Sequence, residues 1–470
     1  MAIEYDVISP VTGKATLRLP LAAKSEIAES LTALNSRNDS LKENTVFEFL
    51  RRLADQIELQ RNLFFEATYL ETGFIAGDSM EIIDGVIDFL DDFEKYAIEL
   101  SKNNKVSSII PHSYSGTMQR AMRIIQQPVR CVAAILPQNA ALTLGIIIIA
   151  SALYAGSRVI LRPPLQSGSS GALLARAIEQ SEPPPARIAF VQSLAEDFLE
   201  ACYLSDEVDL IHYIGSNHYA PGILARAFAA GKQCLIDGQG NGMLYVDETF
   251  SIEEAVRIIT TAGTRFNGET CTSINGVLIK DTIYKDVKEA LVENFQQLRL
   301  GHPLEQGIQV GPLFGGQLAA QLAKAIQGTS TAKVLCGNQF TNAYFSPTVV
   351  EGVNPCDNIV RDGFFGPAIW IAPVAAEESL WHWLRSNRFP LSDTLLSTDE
   401  NLIHAFVQNS RAPRICINVD QAIESMFEPW GGYPPGGLNA VSNWIEKYRR
   451  AFVIDGNSSD ITRIQLPFIT

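Results

Sequence analysis

The sequence predicts an α/β protein built on doubly wound, mostly parallel sheets. Short apolar runs alternate with helical stretches through the middle of the chain, beginning with the strand Val132–Leu136 and the helix Leu142–Ala155. Such alternation is typical of parallel strands in one sheet with helices on both faces. Because 470 residues are too many for one small core, two or three domains are expected.

The chain before the alternating region is predicted to be helical and then extended. Apolar spacing from Asn44 to Thr72 predicts a helix that ends at Gly73. A second helical pattern runs on through Phe93, and Ser115–Gln127 has a β-like pattern.

The alternation continues past the first strand and helix. Strands are predicted at Arg158–Leu161, Ile188–Val191, Val208–Ile214, Met243–Val246 and Val277–Ile279, with further strands near Ile359 and Ile369. Helices are predicted at Ala172–Gln180, after Gly215–Ser216 as far as Ala230, at Ile252–Ala262 and at Tyr284–Leu298. The end of the chain, Phe452–Thr470, is predicted to be extended. With no internal repeat and no low-complexity linker, the domains are expected to be interleaved along the chain.

Composition argues against several classes of partner. A formal net charge of -15 disfavours nucleic acid and anionic membrane surfaces. The longest apolar run, Leu144–Gly156, is too short to span a bilayer and is predicted to be a buried helix. No signal peptide precedes Glu4 and Asp6, so a cytoplasmic protein is expected.

The cysteines and histidines indicate neither disulfides nor a metal site. The seven cysteines are dispersed and form no CxxC pair, as expected in a reducing cytoplasm. His212 and His218 are the nearest pair of histidines, and their spacing does not suit a helical metal site. We therefore predict no metal.

Cys271 is unusual because it lies in the polar turn FNGETCTS, ahead of an apolar run. A structural cysteine prefers apolar neighbours, whereas a reactive one needs access and polar groups. Taken alone, however, a free cysteine is more often buried and structural.

Two glycine-containing turns are candidate phosphate sites. DGQGNG, Asp237–Gly242, is followed by a predicted strand, whereas a dinucleotide-binding loop is followed by a helix. Gly215–Ser216 lies between a strand and a helix, where exposed N–H groups favour phosphate.

Read together, several segments resemble the aldehyde dehydrogenase superfamily, in order and in spacing, from Glu43 to about Val453. The matching segments are ETG (Glu71–Gly73), PQNAALTLG (Pro137–Gly145), LRPPLQS, HYIGS, IDGQGNG, GETCTSINGVLI, GFFGPAIWI and PWGG (Pro429–Gly432). The resemblance implies a divergent member with a cofactor domain, a catalytic domain and a bridging sheet for oligomers. On that basis we expect cofactor-binding parts at residues 1–112 and 131–246, a catalytic domain at 247–445, and oligomerisation arms at 113–130 and 446–470.

The resemblance also implies the chemistry. Cys271 corresponds to the nucleophile, Asn139 to the amide that holds the oxyanion, and Asp237 to the carboxylate that activates water. NAD or NADP is the implied cofactor, a small aldehyde the substrate, and a homodimer or homotetramer the assembly. The implied cofactor contacts are Leu136, Pro137, Arg162, Gly215, Ser216, Gly238 and Phe365.

Several positions depart from the family pattern. Leu165 replaces the glutamate that binds the adenosine ribose in NAD-selective members, so nothing in this loop repels a 2′-phosphate. Gly363 stands where the family has the glutamate that anchors the nicotinamide ribose, with Asp362 one residue out of register. Gln138 replaces a tryptophan, and Gln239 replaces a glycine.

These departures leave three functions open. The first is oxidation of an aldehyde to its acid. The second is acyl transfer between Cys271 and a carrier thiol such as coenzyme A, and the third is a structural or binding role with weak catalysis. The carboxylate of Asp237 favours hydrolysis, whereas the missing ribose glutamate favours the third function.

Overall fold

The computed structural model describes residues 3–34, 41–103, 110–114 and 118–463. The helices are α1 (Lys24–Leu34), α2 (Glu43–Leu59), α3 (Arg61–Thr72), α4 (Ala76–Asn103), α5 (Ala141–Ala155), α6 (Gly168–Gln180), α7 (Ala195–Leu204), α8 (Ala220–Ala229), α9 (Ile252–Thr264), α10 (Tyr284–Gln297), α11 (Gly316–Gln327), α12 (Asn358–Arg361), α13 (Glu377–Ser386), α14 (Glu400–Asn409) and α15 (Ser458–Arg463). The strands are β1 (Ile3–Ile8), β2 (Ala15–Leu21), β3 (Ile110–Tyr114), β4 (Met118–Pro128), β5 (Cys131–Ile135), β6 (Arg158–Arg162), β7 (Ile188–Phe190), β8 (Leu210–Ile214), β9 (Gln233–Asp237), β10 (Gly242–Val246), β11 (Ile274–Lys280), β12 (Lys333–Cys336), β13 (Phe340–Thr341), β14 (Tyr344–Phe345), β15 (Thr348–Glu351), β16 (Ala368–Val374), β17 (Ser392–Leu396), β18 (Arg414–Ile417), β19 (Trp430–Gly432), β20 (Gly437–Ser442) and β21 (Arg449–Asn457). Within the described ranges, every helix is too short or too polar to cross a membrane.

The first large sheet has the strand order β19-β20-β9-β8-β5-β6-β7, and β9 to β7 run parallel. Helices cover both faces, so its central strands are buried and apolar, as in CVAAI of β5. The chain order reverses between β5 and β8. A ligand crevice is expected at that point, outside the carboxyl ends of the strands.

The second large sheet has the order β12-β15-β16-β11-β10-β17-β18 and is parallel except at β12. Its two faces are covered by separate apolar clusters, one of which contains α9 and α10. A third sheet, β21-β4-β3, is antiparallel and pairs the end of the chain with its first third.

The predicted fold class is confirmed, and most of the predicted elements are present at or near their expected bounds. The helix predicted from Asn44 to Thr72 is divided at Gln60 into α2 and α3. The strand predicted near Ile359 is wrong, because Ile359 lies in helix α12.

The prediction for the end of the chain is only partly correct. Phe452 to Asn457 is extended in β21, but helix α15 follows. Residues 464–470 and 115–117, to which the predictions also extended, lie outside the described residues.

Glu71 joins α3 to the start of α6. Its buried carboxylate accepts hydrogen bonds from the backbone N–H groups of Ser169 and Ser170, in the first turn of α6. Those N–H groups have no partner within the helix, so the carboxylate completes its N-terminus. The adjacent Gly73 has φ +76° and abuts Pro312, where a Cβ would lie 2.1 Å from the carbonyl oxygen. The ETG motif therefore has a structural explanation.

The two large sheets meet where the chain passes from β9 into β10. A Cβ on Gly240 would lie 2.0 Å from the carbonyl oxygen of Cys271, and one on Gly242 would lie 2.5 Å from that of Ser273. Only glycine allows the two backbones to approach this closely. This contact places the residues that follow β9 beside the turn that contains Cys271.

We predict that Gly240→Ala destabilises the protein, because the added methyl group meets a backbone oxygen that cannot move independently. The expected loss is roughly 3 kcal/mol, measured as a shift of the denaturation midpoint. Gly222→Ala is the matched control, since a Cβ there has no neighbour within 4 Å. That exposed helical position should gain about 0.5–1 kcal/mol, and equal effects at both sites would contradict the contact.

Candidate active site

A cavity of about 970 Å³ lies where the carboxyl edge of the first sheet faces the amino edge of the second. Its lining includes the segments that follow β5, β8 and β9, and the turn that precedes β11. The cavity therefore occupies the crevice that the strand order of the first sheet predicts.

Cys271 lies in this lining, at the amino end of β11. Its turn is held by the hydroxyls of Thr270 and Ser273, which are 2.8 Å apart. The side chain of buried Gln421 donates to the carbonyl of Thr272. The half-buried Cys271 is thus both fixed and open to the cavity, unlike fully buried Cys131 and Cys202.

The segment before the turn has a strained backbone that side chains stabilise. Phe266, Asn267 and Gly268 have consecutive positive φ values of 51°, 57° and 66°. The amide of Asn267 accepts from the N–H of Gly311 at 2.7 Å and donates to the carbonyls of Gly73 and Pro312. This buried amide anchors the turn to two neighbouring segments.

Burial raises the pKa of the Cys271 thiol, and the nearby charges of Glu424 and Asp237 act in the same direction. Cys271 lines the cavity, as do Glu424 and Asp237, whose negative charges disfavour the thiolate. Because the thiolate is the reactive form, the resting cysteine needs a group that accepts its proton.

The structure brings most of the sequence-predicted residues to the same cavity. Asn139 lines it together with Cys271, as do Pro137, Gly215, Ser216, Gly238 and Phe365. Leu136 and Arg162 are buried behind the strand ends, where the N–H of Leu136 donates to the carbonyl of Arg162.

Asp237 is buried and engaged in a network that the sequence did not reveal. Nε2 of His212 lies 2.6 Å from its carboxylate, and the amide of Asn439 donates to both carboxylate oxygens at 3.0 Å. Lys447 donates in turn to Asn439, and Tyr448 contacts the other nitrogen of His212. Burial alone would raise the pKa of Asp237, but His212, Asn439 and Lys447 hold it below its ordinary value.

Two asparagines fill the space beside Gly363. Gly363 has φ +77°, and a Cβ there would lie 2.5 Å from Asn275 Oδ1 and 2.7 Å from Asn241 Oδ1. A glutamate does not fit this backbone, and the neighbouring Asp362 pairs with Arg388 instead. The cavity therefore receives no carboxylate from this position, and the two asparagines are buried outside its lining.

Arg162 provides a cation near the predicted adenosine end of the crevice. Its Nε donates to the carbonyl of Ser193 at 3.0 Å, and no carboxylate among the described residues pairs with it. Burial lowers the pKa of its guanidinium to about 10, so it remains charged at neutral pH. A buried cation without a carboxylate partner fits an anionic or hydroxyl-rich ligand. Leu165, which stands where the family pattern has a glutamate, adds no negative charge that would oppose an anionic ligand.

Two acidic residues near the turn were missed by sequence reasoning. Glu269 is fully buried, and only one of its oxygens has a partner, the N–H of Phe314 at 2.9 Å. Glu424 lines the cavity from the loop that follows β18. Glu269 could have been noticed in the sequence, because it stands two positions before Cys271. Nothing in the sequence distinguished Glu424 from the other glutamates.

The fold and the cavity together define an α/β enzyme in which a nucleotide-binding type of sheet faces a second domain that carries a cysteine. The chain belongs to the aldehyde dehydrogenase family, whose model matches residues 2–451. Its class is that of the NAD(P)-dependent aldehyde dehydrogenases.

Curated relatives are distant but nearly full-length. The 3-sulfolactaldehyde dehydrogenase of Priestia megaterium is 22% identical over 443 residues, which cover 93% of this chain and 91% of the relative. The chloroplastic betaine aldehyde dehydrogenase of Beta vulgaris is 22% identical over 413 residues, 85% of this chain and 81% of the relative.

Solved structures share the fold. A glyceraldehyde-3-phosphate dehydrogenase from Methanocaldococcus jannaschii, complexed with NADP, has a TM-score of 0.85 and 21% identity, over 97% of this chain and 100% of its own. An aldehyde dehydrogenase from Bacillus cereus, complexed with NAD+, has a TM-score of 0.88 and 19% identity, over 97% and 94% of the two chains. These two neighbours were thus solved with different nicotinamide cofactors, NADP and NAD+.

We predict that Glu269→Gln stabilises the protein more at pH 8 than at pH 5.5. Burial raises the pKa of Glu269 well above its ordinary value, so the folded state retains a proton that the unfolded state releases. Stability therefore falls as pH rises between the unfolded and folded pKa values, by about 1.4 kcal/mol for each unit between them.

Glutamine keeps the shape of the protonated acid and removes this penalty. Denaturation midpoints at the two pH values measure the effect, with the exposed Glu66→Gln as control. An equal gain at both pH values, or the same pattern in the control, would show that Glu269 is not held protonated.

Proposed function

We propose that this protein oxidises a small aldehyde to its carboxylic acid with NAD or NADP, through a thioester on Cys271. The supporting observation is that Cys271 and Asn139 open into one cavity, at the crevice end of the first sheet. A nucleophile and an oxyanion donor are thereby available to the same carbonyl group.

In the first step the S–H bond of Cys271 breaks, its proton is released to water in the cavity, and the sulfur bonds to the aldehyde carbon. The carbonyl oxygen becomes an oxyanion, towards which Asn139 is proposed to donate its amide N–H. Such a donor typically stabilises the transition state by about 3 kcal/mol. Phe266, Phe314 and Phe365 line the same cavity and provide an apolar wall that limits access of water.

NAD or NADP, when bound, would supply the acceptor for the hydride that must leave the substrate carbon before a thioester can form. The residues that would hold it are Pro137, Gly215, Ser216, Gly238 and Phe365 in the cavity, with Leu136 and Arg162 behind the strand ends. Since Leu165 and Arg162 present no negative charge, a 2′-phosphate meets no repulsion in this loop.

Water or a carrier thiol must then release the acyl group. The sequence assigns water activation to Asp237, but both of its carboxylate oxygens already accept hydrogen bonds. This observation favours a second candidate function, acyl transfer to coenzyme A. Product formation with and without added coenzyme A separates the two, since hydrolysis needs none.

We further propose that the sheet β21-β4-β3 forms the oligomerisation arms, which join subunits into a homodimer or homotetramer. The remaining domains are interleaved along the chain around these arms. Ile124, Phe452 and Val453 expose between 41% and 65% of their surface on β4 and β21, which would be covered in such a pair.

The described free cysteines support a reducing, cytoplasmic setting.

We predict that Cys271→Ala abolishes NAD(P)H formation from aldehydes while the protein remains folded. The thioester route requires the sulfur, so no slower version of the same route survives its removal. Absorbance of reduced nicotinamide with an aldehyde panel measures the rate, and unfolding curves check the fold. Cys416→Ala, at a buried cysteine outside the cavity lining, is the control, and unchanged turnover in Cys271→Ala would place the nucleophile elsewhere.

We also predict that the cavity discriminates aldehydes by charge. Among the described residues, no lysine, arginine or histidine lines the cavity. Six acidic residues do: Glu81, Asp84, Asp88, Asp237, Glu424 and Glu428. An aldehyde with a carboxylate tail should have a KM on the order of tenfold above that of a neutral analogue of equal length.

The difference should shrink at high salt and in Asp88→Asn, because Asp88 has no ion pair within the described part of the chain. A lower KM for the anionic aldehyde would contradict the electrostatic account.

A further inference from the structure

Glu424 lies in the cavity with Cys271, on a loop that is tied directly to the nucleophile turn. The side chain of Gln421 donates to the carbonyl of Thr272 and accepts from the hydroxyl of Thr394 at 2.6 Å. The loop therefore reaches the cavity at the residue next to Cys271, with a fully buried glutamine as its anchor.

Arg414 fixes the same loop on both sides of Glu424. Its guanidinium donates to the carbonyls of Gln421 at 2.8 Å and Ile423 at 3.1 Å, and pairs with Glu428 at 2.6 Å. Arg414 is thus occupied by three groups of the loop, while Glu424 has no ion pair within the described part of the chain.

The two carboxylates that act on the thiol differ in their availability. The charges of Glu424 and Asp237 both raise the pKa of the Cys271 thiol, that of Glu424 by more, and both residues line the same cavity as the thiol. Asp237 is bound by His212 and Asn439, whereas Glu424 faces the open volume of the cavity. Glu424 accepts a hydrogen bond from Thr272 but forms no ion pair within the described residues, so lone pairs of its carboxylate remain for a water molecule.

We propose that Glu424 is the general base that activates water for release of the acid, and that Asp237 holds the cavity wall through its network. This proposal rests on the proposed function, because it requires a thioester on Cys271. Release would then need no carrier thiol.

The step balances without a further reactant. A water oxygen bonds to the thioester carbonyl carbon as one proton passes from water to the Glu424 carboxylate. The C–S bond then breaks, its electron pair leaves with the sulfur of Cys271, and the carboxylic acid departs. The proton on Glu424 returns to the sulfur, which restores both groups and involves no change of oxidation state.

The surroundings of Glu424 suit this role. The protein atoms around the cavity raise the pKa of Glu424 although its side chain is exposed to solvent, and Glu428 acts in the same direction, while Thr272, Arg414 and Arg265 partly offset the shift. A base is most effective when its pKa lies near the working pH. Because the base must be ionised, the release rate should fall with acidification at a higher pH than an ordinary glutamate would give.

The test compares Glu424→Gln, Asp237→Asn and Glu66→Gln with the wild type, using a neutral aldehyde. Rapid mixing separates the burst of NAD(P)H, which reports thioester formation, from steady turnover, which reports release. In Glu424→Gln we expect the burst to remain and turnover to fall by about 100-fold or more. The acidic limb of the pH profile should disappear, and hydroxylamine, which needs no base, should restore turnover.

Glu66→Gln removes one exposed carboxylate outside the cavity lining and should keep the wild-type ratio of turnover to burst. The proposal is overturned if Glu424→Gln turns over normally, if Glu66→Gln slows equally, or if Asp237→Asn alone stalls release with its fold intact. Wild-type protein that forms no NAD(P)H with any aldehyde would instead reject the proposed function itself. Unfolding midpoints of all variants distinguish lost chemistry from lost structure.

Discussion

The close approach of two backbone segments, made possible by Gly240 and Gly242, is the constraint on which this structure depends. It brings the exit of β9, in the first sheet, against the turn around Cys271, at the start of β11 in the second. Neither sheet alone contains the cavity. The strand order of the first sheet creates a crevice at its carboxyl edge, and the glycine contact places a cysteine in it.

Electrostatics within the cavity follow from how each acid is partnered. His212 and Asn439 hydrogen-bond to the carboxylate of Asp237, and Lys447 donates to Asn439. These contacts stabilise the negative charge of Asp237 at the cavity wall. Glu269 has one unpartnered oxygen in a fully buried position, and burial raises its pKa. Glu424 alone combines an open position with a location beside the thiol. Two carboxyl groups of the cavity lining and one buried behind the turn thus differ in how they are partnered.

The sequence predicted what depends on local pattern and failed where distant contacts decide. Alternating apolar runs sufficed to predict the parallel sheets, and the resemblance to a known family sufficed to predict that Asn139 and Cys271 share a site, as their common cavity now supports. The short apolar stretch near Ile359 has no distinguishing period, and it forms a helix. Partners such as His212 for Asp237 come from a neighbouring strand, so no spacing along the chain could reveal them. The role of Glu424 depends in the same way on where its loop docks.

The central claim is that the Cys271 sulfur becomes covalently acylated during turnover. Its most direct measurement is mass spectrometry of peptides from enzyme mixed with aldehyde and NAD(P)+ and quenched in acid within milliseconds. The account predicts an acyl mass increment on the peptide that contains Cys271, which disappears after hydroxylamine treatment. An increment on another cysteine, or NAD(P)H formed with no acylated peptide at any time, would contradict it.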